Sequence, residues 1–168
     1  MQNDTRARAA QLGQLLLARQ GWLATAESCT GGLLSGAVTA IPGSSGWFDQ
    51  GWVTYSNMAK HVQLGVARET LDEFGAVSEE VARQMAAGVL AMAPRATLAL
   101  TTTGIAGPGG GTASKPVGLV WFGFAQRAPS GVIVHAVSQV FEGDRDAVRE
   151  ASVAFSLQFA CGLLPEVV

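Results

Sequence analysis

Ser28 is the residue whose type and position most directly suggest chemistry. It follows the short apolar segment 22–26 and precedes two glycines, in the order Glu27-Ser28-Cys29-Thr30-Gly31-Gly32. This pattern predicts a strand that turns into a helix, where a serine hydroxyl lies beside free backbone amides. The amides of Cys29, Thr30 and Gly31 could then bind an oxyanion while Ser28 acts as the nucleophile. The same sequence is also compatible with a simple helix cap by Ser28 or Thr30, in which case the glycines serve only close packing.

A serine nucleophile needs a base, and Lys60 is a candidate. The segment Val53-Thr54-Tyr55-Ser56-Asn57-Met58-Ala59-Lys60 predicts a strand that ends near Tyr55, followed by a helix that carries the lysine. A lysine taken out of water is more easily neutral and can then accept a proton. Tyr55 is the only tyrosine of the chain. A solvated surface lysine is the ordinary alternative for Lys60.

A third polar segment, 103–112, is rich in glycine and follows the strand predicted over 96–103. Glycines allow backbone amides to approach an anion closely, although a plain flexible loop is the alternative. Neither a phosphate-binding P-loop nor a dinucleotide fingerprint is present. Arg145 lies near the start of the last helix, where its charge opposes the helix dipole and so favours anion binding. The candidate substrate-binding residues are Cys29, Thr30, Gly31, Thr103, Gly104, Gly107, Gly109, Gly110, Lys115 and Arg145.

Other catalytic arrangements have weaker support. A serine triad would need His61 or His135, and His135 lies within an alternating strand pattern. Cys29 could serve as a thiol nucleophile with either histidine, which we disfavour. Two scattered histidines do not form a metal-binding cluster, so we expect no metal and no cofactor.

The order of elements predicts one α/β domain over 1–168, a three-layer α/β/α sandwich around a mixed, mostly parallel β-sheet. Helices alternate with strands early in the chain, and a hairpin through Ala128-Pro129-Ser130-Gly131 comes late. Helices are predicted over 5–19, 30–40, 58–64, 70–74, 78–92 and from Asp144 onward. Strands are predicted over 22–26, 51–55, 96–103, 117–125 and 132–141.

Composition limits the possible partners. The chain has 168 residues and a formal net charge of −2 without a basic stripe, so we expect a small-molecule substrate and no nucleic acid. The two cysteines form no pair motif, which favours a reducing cytoplasm. The charge-free run 28–48 contains five glycines and a proline, so we expect no membrane span. Trp47 and Trp52 are candidates for a homo-oligomer face, although such residues are more often part of a core.

The ordered segments together resemble the CinA carboxy-terminal domain family. The matching text is AESCTGGLLSGAVTAIPGSS, WFDQGWVTYSNMAKHVQLGV, GAVSEEVARQMAAG, TTTGIAGPGGGTASKPVGLVWFGFA and FEGDRDAVRE, which covers nearly the whole chain from about Gln11. The chain departs from the family pattern at Thr102-Thr103, where serines are common in the family, and at Asp49-Gln50. Larger members carry a second, amino-terminal domain, so we expect the stand-alone form here.

The resemblance implies a metal-independent nicotinamide mononucleotide deamidase of pyridine nucleotide salvage. Such an enzyme hydrolyses the substrate carboxamide to nicotinic acid mononucleotide and ammonia. Ser28 corresponds to the family's proposed nucleophile, and Lys60 and Tyr55 correspond to its activating partners. We expect Lys60 to take the serine proton directly or through Tyr55. The alternative is a catalytically silent nucleotide-binding or competence-associated accessory protein.

Overall fold

The computed structural model describes residues 2–164. Met1 and residues 165–168, which the single-domain prediction includes, lie outside the described residues. The helices are α1 (Gln2–Ala18), α2 (Leu33–Thr39), α3 (Asn57–Leu64), α4 (Arg68–Phe74), α5 (Glu79–Met92) and α6 (Arg145–Leu163). The strands are β1 (Leu23–Glu27), β2 (Phe48–Val53), β3 (Leu98–Gly104), β4 (Leu119–Ala128) and β5 (Gly131–Val140).

The five strands form one mixed sheet in the order β2-β1-β3-β4-β5. β1 pairs in parallel with both β2 and β3, whereas β4 pairs antiparallel with β3 and β5. Four strands therefore run in one direction and β4 runs against them. The predicted hairpin is confirmed, because β4 ends at Ala128 and β5 begins at Gly131.

Helices cover both faces of the sheet, so the predicted three-layer sandwich is confirmed. On one face α1, α2 and α6 pack over large side chains such as Leu100, Phe122 and Phe124. On the other face α3, α4 and α5 pack over small ones, among them Ala26, Ala99 and Ala125. Small residues let α5 lie close to the sheet: a Cβ at Gly123 would stand 2.1 Å from the Ala82 carbonyl oxygen.

Two predicted boundaries near the site were wrong. The helix expected from residue 30 begins at Leu33 instead. Gly31 and Gly32 adopt φ values of +56° and +101°, which are incompatible with a right-handed α-helix. The strand expected over 51–55 instead spans Phe48–Val53. Tyr55 thus lies in the connection between β2 and α3, and Ser56 caps α3 by accepting a hydrogen bond from the Ala59 amide.

Trp47 does not form an oligomer face, since only 2% of its surface is exposed and it packs in the core. Trp52 is half-buried against the α5 side of the core. Within residues 2–164, no helix combines the length and the apolar character that crossing a membrane requires.

Candidate active site

The site lies where the carboxyl ends of three parallel strands meet. Ser28 directly follows β1, Tyr55 follows β2 by two residues, and Gly104 ends β3. The register aligns Glu27 of β1 with Val53 and with Thr102 on the two sides, so these ends share one edge of the sheet. A cleft of about 240 Å³ opens there, and Ser28, Cys29, Tyr55, Lys60, Thr103 and Arg145 contribute its polar lining.

Ser28 and Lys60 are in direct contact inside this cleft. The Lys60 Nζ lies 2.9 Å from the Ser28 Oγ, although 32 residues separate them in the chain. Lys60 is 1% exposed, which is unusual for a lysine. Its Nζ also donates to the carbonyl oxygens of Thr54 at 2.9 Å and Tyr55 at 3.2 Å. The surface alternative for Lys60 is therefore wrong.

Burial changes the acid–base character of two side chains in the cleft. Desolvation lowers the pKa of Lys60 from 10.5 to about 8, with a smaller opposing influence from Cys29. Desolvation also raises the pKa of the Cys29 thiol to about 11. The lysine is thus a base of accessible strength, whereas the cysteine stays protonated and is a poor nucleophile near neutral pH.

Tyr55 contacts Ser28 and Lys60 through its main-chain carbonyl. Its carbonyl oxygen accepts from Lys60 and from the Ser28 hydroxyl, the latter at 3.3 Å. Its side chain is 61% exposed, and the phenol oxygen is 3.3 Å from Arg145 Nη2. The contacts therefore provide a direct path for the proton between Ser28 and Lys60, and none through the Tyr55 phenol.

The turn 28–32 holds the serine by backbone hydrogen bonds. The Ser28 amide donates to the Thr102 carbonyl at 2.9 Å, which fixes the residue to β3. The Gly31 amide donates to the Ser28 carbonyl at 3.1 Å. Gly31 is therefore not available as an oxyanion donor, and the predicted set reduces to the amides of Cys29 and Thr30. Thr30 is fully buried, whereas Cys29 lines the cleft.

Sequence comparison identifies the family of the chain. The profile of the CinA C-terminal domain matches residues 5–164.

The chain belongs to this family.

Named relatives and solved structures extend the match. The chain is 55% identical over 150 residues to a protein of Enterobacter agglomerans named nicotinamide-nucleotide amidohydrolase PncC, covering 89% of each chain. A protein of Escherichia coli K12 with the same name is 51% identical, covering 88% of this chain and 87% of the relative. A crystal structure of the competence/damage inducible protein CihA from Agrobacterium tumefaciens superposes with a TM-score of 0.86 at 44% identity and covers 95% of both chains. The competence damage-inducible protein A from Klebsiella pneumoniae gives 0.90 at 36% identity, covering 98% of this chain and 99% of that one.

The glycine-rich segment contributes only its first part to the cleft. Thr103 and Gly104 line it, and the Thr103 hydroxyl donates to the Ala76 carbonyl at 2.8 Å. Gly107 is linked to the cleft through its carbonyl, which accepts from Arg145 Nη1 at 2.7 Å. Gly109 and Gly110 are exposed and outside the lining. Lys115 is also outside it, because its ammonium is bonded to the Phe74 carbonyl at the end of α4.

Neither histidine lines the cleft, and the potential metal-binding groups are scattered. The His61 Nδ1 is bonded to the Val66 carbonyl, and His135 lies on β5, at the sheet edge opposite β2. Among residues 2–164, no group of three His, Cys, Asp or Glu side chains is placed to hold a metal ion.

Two functional neighbours were missed in the sequence. Glu27 is fully buried, and its carboxylate accepts hydrogen bonds from Thr30, Leu34 and Ser35, which fixes the start of α2. Arg149 donates to the carbonyls of Cys29 and Thr30. Glu27 could have been found in the sequence because it directly precedes Ser28 in the motif Glu27-Ser28-Cys29. The signal for Arg149 was its spacing of four residues from Arg145, which puts both on one face of α6.

Proposed function

We propose that this chain is a nicotinamide mononucleotide amidohydrolase that uses Ser28 as nucleophile and Lys60 as general base. The observation that carries the proposal is the 2.9 Å contact between the Ser28 Oγ and the Nζ of a lysine that is 1% exposed. The substrate class is supported by the names of the relatives at 51–55% identity. The products are nicotinic acid mononucleotide and ammonia.

The surroundings of Lys60 favour its neutral, basic form. A neutral amine has two N–H donors and one lone pair. The carbonyls of Thr54 and Tyr55 can accept both N–H bonds of the neutral amine. The lone pair is then free to take the Ser28 proton when that hydroxyl turns from the Tyr55 carbonyl toward Nζ. Among the described residues no carboxylate is within ion-pair distance of Lys60, so no counter-charge favours the ammonium form.

The reaction then follows in two stages. Ser28 attacks the carboxamide carbon as its proton moves to Lys60, and the oxyanion binds at the Cys29 amide. Lys60 returns that proton to the departing ammonia, which leaves an acyl ester on Ser28. A water molecule, deprotonated by Lys60, then attacks the ester, and Lys60 returns the proton to the Ser28 oxygen as the acyl–oxygen bond breaks and the carboxylate product leaves.

Arg145 is the candidate partner for the substrate phosphate. Its guanidinium spans the cleft from α6 to the Gly107 carbonyl and the Tyr55 phenol. Both are neutral groups that a phosphate can replace as hydrogen-bond acceptors, and guanidinium and phosphate geometries match. The exposed position of Arg145 makes it accessible to a ligand that enters from solvent.

We also propose a cytoplasmic location and no nucleic-acid partner. Cys29 and Cys161 are unpaired in the fold, as expected for a protein kept in reducing surroundings. The net charge of −2 supports a small anionic ligand held by local groups better than a polyanion.

The decisive experiment measures ammonia release from nicotinamide mononucleotide by the purified protein. We expect Ser28→Ala and Lys60→Met each to lower kcat by at least about 10³-fold without unfolding. Ser130→Ala, in the exposed β4–β5 turn, is the matched control and retains wild-type rates. Free nicotinamide and glutamine should be poor substrates, and a chelator should leave activity unchanged because Lys60 supplies the base. Near-native activity of Ser28→Ala would refute the nucleophile, and wild-type inactivity on this substrate would refute the proposed function.

A further inference from the structure

Arg149 binds the main chain of the turn 28–32 rather than any of its side chains. Its Nε donates to the Cys29 carbonyl at 3.1 Å, and its Nη2 donates to the Thr30 carbonyl at 3.3 Å. The third nitrogen, Nη1, is 3.6 Å from the exposed carboxylate of Asp146. A guanidinium presents its N–H groups in a rigid planar fork, so two adjacent carbonyls held by one fork have a fixed relative orientation.

These bonds connect Arg149 to the nucleophile through two peptide groups. In a planar trans peptide the C=O and the N–H point in opposite directions. The peptide between Thr30 and Gly31 accepts from Arg149 at its carbonyl and donates from its amide to the Ser28 carbonyl at 3.1 Å. The peptide between Ser28 and Cys29 carries that carbonyl and therefore presents the Cys29 amide on its opposite side.

The Cys29 amide is the last donor of this chain of hydrogen bonds, and its neighbour is the residue's own Sγ, a weak acceptor that an oxyanion can replace. No oxygen atom within the described part of the protein accepts from it. Cys29 directly follows Ser28 and lines the cleft, and in α/β-hydrolases the residue after the nucleophile supplies an oxyanion donor.

We propose that Arg149 is a positioning residue that orients and polarises the Cys29 amide as the oxyanion donor. This inference rests on the proposed function and assigns a role to a residue outside the Ser28–Lys60 pair. The positive charge of Arg149 should strengthen the Cys29 amide as a donor, because a cation at a peptide carbonyl makes the amide of that peptide a stronger hydrogen-bond donor. Successive hydrogen bonds strengthen one another by about 10–30% per bond.

Gly31 has the conformation that this arrangement needs. Its φ of +56° is in the left-handed region, and a Cβ there would lie 3.5 Å from Arg149 Nη2. The turn thus keeps the guanidinium close to the main chain. A purely structural clamp between α6 and the turn would use the same contacts, so the test must separate a rate effect from a stability effect.

The variants Arg149→Lys and Arg149→Met separate charge from fork geometry, and Asp146→Asn is the matched control. Lysine keeps the charge but cannot hold both carbonyls in one plane, and methionine loses both properties. For both variants we expect kcat on nicotinamide mononucleotide to fall about 10- to 100-fold, below the 10²–10³ typical of losing an oxyanion donor outright. KM should change less than about threefold, since the ground-state carboxamide carries little charge. Asp146→Asn removes only an exposed ion pair and should keep kcat within about twofold.

Amide NMR provides a readout that does not depend on substrate turnover. In ¹⁵N-labelled protein, Arg149→Met should shift the Gly31 and Cys29 amide protons upfield, because both lose polarisation, while Asp146→Asn leaves them in place. Unchanged kcat, a change confined to KM or melting temperature, or unmoved Gly31 and Cys29 amides would overturn the inference. If the wild-type protein releases no ammonia, the proposed function fails, and the NMR result alone decides whether Arg149 controls the Cys29 amide.

Discussion

Lys60 combines two properties that rarely occur together in a lysine, full burial and contact with a hydroxyl. Since burial lowers its pKa to about 8, a large fraction of the side chain is neutral under mildly alkaline conditions. An ordinary lysine, with a pKa of 10.5, would be almost entirely charged and unable to accept the serine proton. The depressed pKa is therefore the feature that makes a metal-free serine mechanism available to this cleft.

The same depressed pKa lowers the stability of the fold at low pH. Below about pH 8 both the folded and the unfolded chain carry a protonated Lys60, and the desolvation penalty is fully present. Between pH 8 and 10.5 the unfolded chain binds more protons than the folded one, so this group makes stability rise with pH. A shift of this size corresponds to about 3 kcal/mol, which the surrounding core must offset.

The pH dependence of turnover tests the role of Lys60. We expect kcat to rise with pH, to reach half its maximum near pH 8, and to level off above it, since only neutral lysine accepts the proton. Lys60→Arg is the matched variant, because guanidinium does not lose its proton below about pH 12 and should stay inactive throughout. Steady-state ammonia release between about pH 6 and 10 measures both. A pH-independent kcat, or an active Lys60→Arg, would exclude lysine as the base.

The residues of the site were predictable to different degrees. Ser28 and Lys60 were predicted to share one cleft, although the local pattern left a helix cap and a surface lysine open and only the family resemblance favoured the catalytic roles. The Tyr55 carbonyl and Arg149 act through main-chain bonds, which leave no side-chain signature in the sequence. Glu27 was missed because carboxylates are rarely fully buried, and only the fold shows the three residues that donate to it.

At the scale of elements, α3 is the part that brings Lys60, the proposed base, to Ser28, the proposed nucleophile. It begins at the Ser56 cap and ends at Leu64, where α5 crosses it. Gly88 of α5 allows this crossing, since a Cβ there would lie 2.0 Å from the Leu64 carbonyl oxygen. The position of Lys60 therefore depends on a contact between the two helices that lies one turn further along α3, at Leu64.

Gly88→Ala should disturb both the fold and the site. We expect a loss of about 2–3 kcal/mol in unfolding free energy, because the backbones of α3 and α5 must separate. We also expect a lower kcat, since α3 carries Lys60. Urea denaturation and turnover at saturating substrate measure the two effects. Gly36→Ala is the control: that α2 glycine is exposed, has no heavy atom within 4 Å of its added Cβ, and should gain about 0.5–1 kcal/mol. Unchanged stability of Gly88→Ala would show that the helices move apart freely.

The elements themselves were predicted better than their ends. Apolar periodicity and the Ser78 cap correctly predicted α5, and the segment 128–131 correctly predicted the β4–β5 hairpin. The start of α2 was wrong because the left-handed conformations of Gly31 and Gly32 depend on the tertiary contacts of Glu27 and Arg149. The order β2-β1-β3-β4-β5 could not be derived from the sequence, since several strand orders satisfy the same apolar pattern.

At the scale of the whole molecule, the protein is weakly acidic while the rim of its cleft is basic. The net charge is −2, yet the exposed Arg145 of α6 lines the cleft at the strand ends. Long-range attraction of an anionic substrate is therefore weak, and capture depends on charges within a few ångströms of the cleft. Such local attraction is sensitive to salt, because the screening length falls from about 30 Å at 0.01 M to about 3 Å at 1 M ionic strength.

Ionic strength should consequently affect substrate capture but not the chemical step. We expect kcat/KM for nicotinamide mononucleotide to fall about 10-fold between 0.01 M and 1 M salt, with kcat nearly constant, because Lys60 and Ser28 are shielded from solvent. Arg145→Gln should raise KM at low salt and remove most of the salt dependence. Nicotinamide riboside, which lacks the phosphate but keeps the cationic pyridinium ring, serves as the control substrate, and its kcat/KM should not fall as salt rises. If the kcat/KM of the riboside and that of the mononucleotide fall equally, Arg145 does not bind the phosphate, and the anion must be recognised elsewhere in the cleft.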